Sequence, residues 1–168
     1  ELSGILGDFI MQLIVGYLER EGKEIYVEDN TFNLLFAREL LEFLPDAKFI
    51  HMERDPKDVI ASLSKQRWTP KDKIQAAQWY KGVINRIDLV KKEMPRDSVI
   101  TVDLYDLIDN KEKTIKDVCK FMETSFSDKM LDIDLSRSHR DRWRKEFSKD
   151  ELKKVNLILT GTELYNNK

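Results

Sequence analysis

The sequence is poor in residues that cross-link or coordinate metals. Its 168 residues contain one cysteine, Cys119, and two histidines. A single cysteine excludes an internal disulfide framework and a clustered-cysteine metal site, and we expect a core thiol. We therefore expect no metal. No apolar run reaches the roughly 20 residues that a helix needs to cross a bilayer, so we expect no transmembrane segment.

Positive charge is not in excess either. The 29 lysines and arginines are balanced by 31 aspartates and glutamates, which leaves a formal net charge of -2. This balance argues against nucleic acid or an anionic membrane as a partner held by bulk charge, although a local basic pocket stays possible. An apolar content of 41% supports one ordinary domain over residues 1–168. We expect this domain to be soluble and cytoplasmic.

The start of the chain lacks an initiator methionine, a basic segment and a small-residue cleavage site. It is therefore neither a signal peptide nor a usual native start. Apolar residues recur at helical spacing from Ile5 to Leu18, and Gly22 suits the end of that helix. We expect the sequence to begin inside a domain whose N-terminal part it does not include.

Three short β-rich segments alternate with helical segments. The predicted strands are residues 24–28, 48–53 and 98–103. Predicted helices follow over about 32–43, 56–65, 71–92, 111–123 and 149–159. Because the strands are short and apolar, the pattern predicts an α/β fold with a parallel sheet covered by helices on both faces. Ligands of such folds bind beyond the carboxyl ends of the strands.

Arg54 lies at the carboxyl end of the second predicted strand. Asp55 and Pro56 are suited to the N-cap and first position of the next helix, whose N-terminus favours an anion. A guanidinium adds a planar fork that fits phosphate or sulfate, and Ser62 adds a hydroxyl further along the helix. The alternative is that Arg54 pairs with Asp58 or Glu53 and that Ser62 faces the sheet.

The segment around Arg54 also resembles a known family. Residues 44–62 read LPDAKFIHMERDPKDVIAS, which is similar to FPDAKFIHLVRDPRDVxxS, the 3'-phosphate-binding segment of sulfotransferases that use 3'-phosphoadenosine-5'-phosphosulfate (PAPS). Three later segments resemble the same family in the same order: AAQWYKGVINRI (76–87), VITVDLYDLIDNKEKTIKDVCKFM (99–122) and SRSHRDRWRKEFSKDEL (136–152). The resemblance implies a three-layer, P-loop-like sulfotransferase fold.

The resemblance also implies a reaction and site residues. A sulfuryl group would pass from PAPS to a hydroxyl or amine of a small-molecule or polymer acceptor and leave adenosine 3',5'-bisphosphate. Arg54 and Ser62 match the residues that hold the 3'-phosphate. Arg140 and Arg144, in the most basic run of the chain, are further candidates, with a solvated charge run as the alternative. Trp143 either stacks on the nucleotide or acceptor or anchors the loop to the core.

The sequence departs from the family in ways that affect catalysis. The family's first strand and its glycine-containing loop of the type RSGTT, which holds the 5'-phosphosulfate, would precede Glu1. Either the sequence lacks this N-terminal part, as its start within a helical pattern favours, or this member has lost the loop. Asp29 stands where the family often has lysine. Glu28 or Asp29 is a candidate general base if burial of the pair raises one pKa, and His139 is another. The alternatives are that Glu28 and Asp29 cap a helix in solvent and that His139 is an exposed loop residue.

Two other functions stay open at this stage. A P-loop nucleotide or small-molecule kinase would need a GxxxxGK[ST] loop, which the missing N-terminal part would contain. A catalytically degenerate family member would bind nucleotide or a protein partner without turnover, and Asp29 in place of lysine favours that interpretation.

Overall fold

The computed structural model describes residues 2–135 and 139–162 and has a mixed α/β fold. A small parallel sheet of two strands, β1 (Phe49–Glu53) and β2 (Val99–Asp103), lies among helices, which confirms the predicted fold class. The helices are α1 (Leu2–Glu21), α2 (Ala37–Phe43), α3 (Pro56–Leu63), α4 (Lys73–Glu93), α5 (Leu104–Asp109), α6 (Lys111–Phe121), α7 (Trp143–Glu146) and α8 (Lys149–Leu159). Two 3-10 turns cover Asn33–Phe36 and Asp128–Asp132.

The chain divides into two compact units. The first contains the described residues up to Phe49 together with Leu89–Val99. The second contains Ile50–Asp88 and the described residues from Ile100 onward. None of the helices in the described part of the chain is long and apolar enough to cross a membrane.

Close packing of α1 against α2 characterises the first unit. Gly7 of α1 is buried, and a Cβ atom placed on it would lie 2.8 Å from the carbonyl oxygen of Phe43. A side chain at this position would therefore force the two helices apart. The helix ends as predicted, because Gly22 adopts a positive φ of +58° that glycine accepts without steric cost.

The strand predicted at residues 24–28 is wrong. These residues form neither strand nor helix, and Ile25, Tyr26 and Val27 are 48%, 46% and 75% exposed. A strand is stable when its backbone groups pair with a neighbour and its apolar side chains pack on a core. In the described structure β1 and β2 pair with each other, and no strand lies beside residues 24–28.

The second unit has the larger core. Its buried apolar side chains come from α3, α4, β2, α6 and α8: Ile60, Ala61, Ala76, Ala77, Tyr80, Ile84, Ile87, Val102, Cys119, Val155 and Leu159. Cys119 is the predicted core thiol, and its Sγ lies 3.7 Å from the sulfur of Met130. Side chains of β1 alternate, so that His51 and Glu53 are mostly buried whereas Ile50 and Met52 are 41% and 48% exposed. Arg54 follows directly at the carboxyl end of β1.

Candidate anion site at the end of the first strand

The turn from β1 into α3 is closed by Asp55. Its carboxylate accepts a hydrogen bond from the backbone N–H of Lys57 at 2.8 Å, and Pro56 occupies the first helical position, as predicted. The carbonyl oxygen of Asp55 accepts hydrogen bonds from the N–H groups of Asp58 and Val59 at 3.0 and 3.1 Å. The first amides of α3 are thus already satisfied, and an anion at this turn would depend on side-chain donors such as Arg54.

Arg54 lies at this turn with its side chain 17% exposed. Its Nη2 donates a hydrogen bond to the carbonyl oxygen of His139 at 2.7 Å and lies 3.4 Å from Oδ2 of Asp58. Its Nε is buried and has no hydrogen-bond partner in the described structure. The expected alternative, pairing with Asp58, is therefore present, yet it leaves one buried donor of the guanidinium unused.

Asp58 is the central acceptor of this site and is fully buried. Its carboxylate accepts hydrogen bonds from the hydroxyl of Tyr105 and from the backbone N–H groups of Asp141 and Trp143, the latter two at 3.0 Å. Burial alone would raise the pKa of Asp58. The hydrogen bonds from Tyr105, Trp143 and Asp141, with the charge of Arg54, outweigh burial and lower that pKa. Asp58 is therefore an ionised carboxylate inside the protein.

Tyr105 faces Asp58 from the first turn of α5. That helix begins where Asp103 ends β2, because the Asp103 carboxylate accepts the N–H of Tyr105 at 2.7 Å. Burial, followed by the hydrogen bond to Asp58, raises the pKa of Tyr105 to about 12. The phenol therefore stays protonated at neutral pH and keeps its proton in the bond to Asp58.

The segment from His139 to Trp143, here called the late loop, meets Arg54 through its backbone. His139 and Asp141 both adopt positive φ angles, +54° and +58°. Histidine and aspartate tolerate this conformation better than most residues. The side chain of His139 is exposed, and its carbonyl oxygen is the group that contacts Arg54. Its role as a general base stays a prediction.

The other two basic candidates are each paired with a carboxylate. Nη1 of Arg140 donates to both oxygens of Asp109 at 2.8 and 2.9 Å, and its guanidinium lies 4.4 Å from the centre of the Tyr105 ring. Arg144 donates to Asp141 at 2.9 Å. Both arginines are exposed, so a phosphate could displace either carboxylate at little cost. Their role in binding 3'-phosphate stays a prediction.

The ring of Trp143 lies close to two cations. Nζ of Lys57 lies 4.8 Å from the ring centre, and the guanidinium of Arg144 lies 4.6 Å from it. The contact with Lys57 attaches the late loop to the start of α3. It favours the interpretation that Trp143 anchors the loop over the interpretation that it stacks on a nucleotide.

The remaining candidates lie in different parts of the chain. Ser62 is half-buried on α3, one turn beyond Asp58. Glu28 and Asp29 belong to the first unit, and both are exposed. Glu28 accepts a hydrogen bond from the hydroxyl of Tyr26 at 3.1 Å. The burial that was expected to make one of these two carboxylates basic is therefore not present in the structure.

Sequence reasoning missed Asp58 as a central residue and Tyr105 as its partner. The position of Asp58, four residues after Arg54, signalled an ion pair. Nothing in the local sequence signalled that the same carboxylate would also bind the backbone of the late loop, which lies 83 and 85 residues away.

Comparisons with known proteins agree with this architecture. The family model described as the sulfotransferase family matches residues 6–128, a span that includes Arg54, Asp58, Ser62 and Tyr105. A search of curated proteins finds no match.

Among solved structures, the chain is similar to the sulfotransferase domain from the curacin biosynthetic pathway. The two share 17% identity with a TM-score of 0.60 over 73% of this chain and 47% of that one. The chain thus spans about half the length of that domain, and the likeness shows a shared fold. Because the family model covers well over half of the sequence, the chain belongs to the sulfotransferase family.

Proposed function

We propose that the chain is part of a PAPS-dependent sulfotransferase and that Arg54 binds the 3'-phosphate of the donor. The observation that carries the proposal is the buried Nε of Arg54, which has no hydrogen-bond partner among the described residues, while Nη2 of the same group is fixed by His139 and Asp58. A buried donor without a partner is costly unless a ligand satisfies it. Phosphate is a suitable ligand because guanidinium forms charge-assisted hydrogen bonds with it.

The residues around Arg54 fit a phosphate on balance. The buried carboxylate of Asp58 repels a second anion. Its negative charge is offset by Arg54 and by hydrogen bonds from three uncharged donors. Ser62 lies further along the same helix and would supply a hydroxyl, as its position in the family pattern suggests. Arg140 and Arg144 would add positive charge after exchanging their carboxylate partners.

The donor, when bound, supplies the sulfuryl group that moves to an acceptor oxygen or nitrogen. This chain would hold the adenosine bisphosphate end of the donor through Arg54 and Ser62. Glu28, Asp29 and His139 stay the predicted candidates for the base that takes the acceptor's proton, and all three are exposed in the structure. The acceptor, a hydroxyl or an amine of a small molecule or polymer, and the cytoplasmic location remain predictions of the same proposal.

Calorimetric titration with adenosine 3',5'-bisphosphate tests the phosphate site, with adenosine 5'-phosphate as the reference ligand. The unmodified chain should bind the bisphosphate more tightly. Arg54→Ala should lower that affinity by roughly tenfold to hundredfold, the equivalent of one hydrogen bond to a charged group. The same variant should leave the affinity for the monophosphate almost unchanged, because that ligand lacks the 3'-phosphate.

Arg38→Ala is the matched control. Arg38 forms an exposed ion pair with Glu93 at 2.8 Å in the first unit, so its loss removes one positive charge without touching the turn after β1. Equal affinity for the two nucleotides in the unmodified chain would overturn the proposal, as would an Arg54→Ala variant that keeps the preference. A preference for ATP over both ligands would favour the kinase alternative. Bisphosphate binding without sulfuryl transfer, in a protein that also contains the 5'-phosphosulfate loop, would favour a degenerate family member.

A further inference from the structure

Asp58 joins three segments that are far apart in the sequence. It sits in the first turn of α3 and is fully buried. The groups that contact its carboxylate come from the β1–α3 turn, from α5 and from the late loop: Arg54, Tyr105, Asp141 and Trp143. Burial of a charge costs desolvation free energy, which well-placed hydrogen bonds must offset.

The donors are distributed over both carboxylate oxygens. Oδ2 accepts the Tyr105 hydroxyl and the N–H of Asp141, while Oδ1 accepts the N–H of Trp143. Two of these donors are main-chain amides of the late loop, so Asp58 fixes the path of the backbone itself. Fixing that path also fixes the carbonyl of His139, which accepts Nη2 of Arg54 at 2.7 Å.

Arg54 is therefore held twice by the same carboxylate. One contact is direct, at 3.4 Å between Nη2 and Oδ2, and the other passes through the late loop to the His139 carbonyl. Together these contacts restrict the rotation of the guanidinium. A donor group that is already oriented loses less conformational entropy when it binds its ligand.

We propose that Asp58 is a positioning residue for the 3'-phosphate. Its contacts orient Arg54 and the late loop together, and it does not itself contact the nucleotide. This inference rests on the proposed function of Arg54 and adds a residue to it. Since binding of the phosphate and order in the late loop then depend on one carboxylate, loss of Asp58 should disturb both together.

Asp58→Asn tests the inference because it keeps the size of the side chain and replaces one acceptor oxygen with a donor. Two measurements are needed. In hydrogen exchange, the amides of Asp141 and Trp143 should be protected in the unmodified chain and exchange faster in the variant. In calorimetry, the affinity for adenosine 3',5'-bisphosphate should fall roughly tenfold to hundredfold, the equivalent of one hydrogen bond to a charged group. The affinity for adenosine 5'-phosphate should change little.

Asp117→Asn is the matched control. Asp117 forms an exposed ion pair with Lys113 on α6, so this variant removes a carboxylate without touching the late loop. A purely structural role of Asp58 would lower both nucleotide affinities in parallel and would overturn the inference. Unprotected Asp141 and Trp143 amides in the unmodified chain would do the same.

Two further outcomes separate the inference from the proposal on which it rests. If the unmodified chain does not prefer the bisphosphate, the phosphate site itself is wrong. If it does and Asp58→Asn retains the preference, the positioning role alone is wrong. Should Asp58→Asn fail to fold, Tyr105→Phe removes one donor to Asp58 and keeps the carboxylate. It should then produce a smaller loss of the same preference, and an unchanged preference would overturn the inference.

Discussion

Gly7 and Gly16 lie on the same helix, and we expect the same substitution to affect stability differently at the two positions. A Cβ atom on Gly7 would lie 2.8 Å from the carbonyl oxygen of Phe43 and 3.4 Å from its Cα atom. A Cβ atom on Gly16 would meet nothing within 4 Å. The atoms near Gly7 belong to the backbone and cannot rotate away as a side chain can. In Gly7→Ala, α1 and α2 must therefore move apart.

The magnitudes follow from two opposing contributions. Replacing glycine by alanine inside a helix stabilises it by about 1 kcal/mol, and both variants gain this contribution. Overpacking a close contact costs about 1 to 3 kcal/mol, and Gly7→Ala alone incurs that cost. Gly16→Ala should therefore stabilise the protein. Gly7→Ala should be less stable than Gly16→Ala by about 1 to 3 kcal/mol, because the helix contribution cancels in the difference.

Urea unfolding followed by far-ultraviolet circular dichroism measures that difference, with hydrogen exchange of the α1 amides as a local readout. The local readout is needed because the chain has two compact units, which can unfold in separate transitions. Equal stability of Gly7→Ala and Gly16→Ala would refute the close approach of α1 and α2. Faster exchange in α1 of Gly7→Ala, with α8 unchanged, would support it.

Two predictions concern the second unit. Tyr105→Phe should cost about 1.5 to 3 kcal/mol at neutral pH, because it removes a hydrogen bond to the charged Asp58. The raised pKa of Tyr105, about 12 against an ordinary value of 10.0, means that this stability is present below pH 10 and is lost as the pH rises through 12. Urea midpoints of the two proteins should therefore converge across that range, and a constant gap would contradict the assignment. Ser148→Ala should cost about 1 kcal/mol, because Ser148 and Glu151 form a capping box at the start of α8. Faster exchange of the first α8 amides, with α6 as the internal reference, would show this effect.

The start of α3 and the end of α1 were predictable because their signals are local. Asp55 and Pro56 begin α3, and Gly22 follows the last residue of α1, as the sequence indicates. A cap or a positive φ depends on residues within one turn of the helix end. The segment at residues 24–28 shows the limit of such reasoning. Its β-rich composition is local, whereas a strand also requires a partner strand, which the sequence of the segment does not specify.

In the candidate site, too, the local features were predictable from the sequence and the distant contacts were not. Arg54 and its turn were predictable, because a strand, an arginine and a capped helix follow one another within a few residues. The bonds that organise the site join Asp58 to Tyr105 and to the late loop, across sequence separations of 47 and 83 residues. Pairings over such distances are set by the packing of α3 and α5 and by the path of the loop. No periodicity or motif in the sequence carries that information.

The role of Arg54 illustrates what these distant contacts change. From the sequence, pairing with Asp58 and binding of phosphate are competing alternatives, because one carboxylate can neutralise one guanidinium. In the structure Asp58 accepts hydrogen bonds from three uncharged donors and lies 3.4 Å from Nη2 of Arg54. The buried Nε of the same group has no hydrogen-bond partner within residues 2–135 and 139–162. The ion pair therefore orients Arg54 without using its Nε, so that pairing with Asp58 is compatible with the proposed binding of a phosphate.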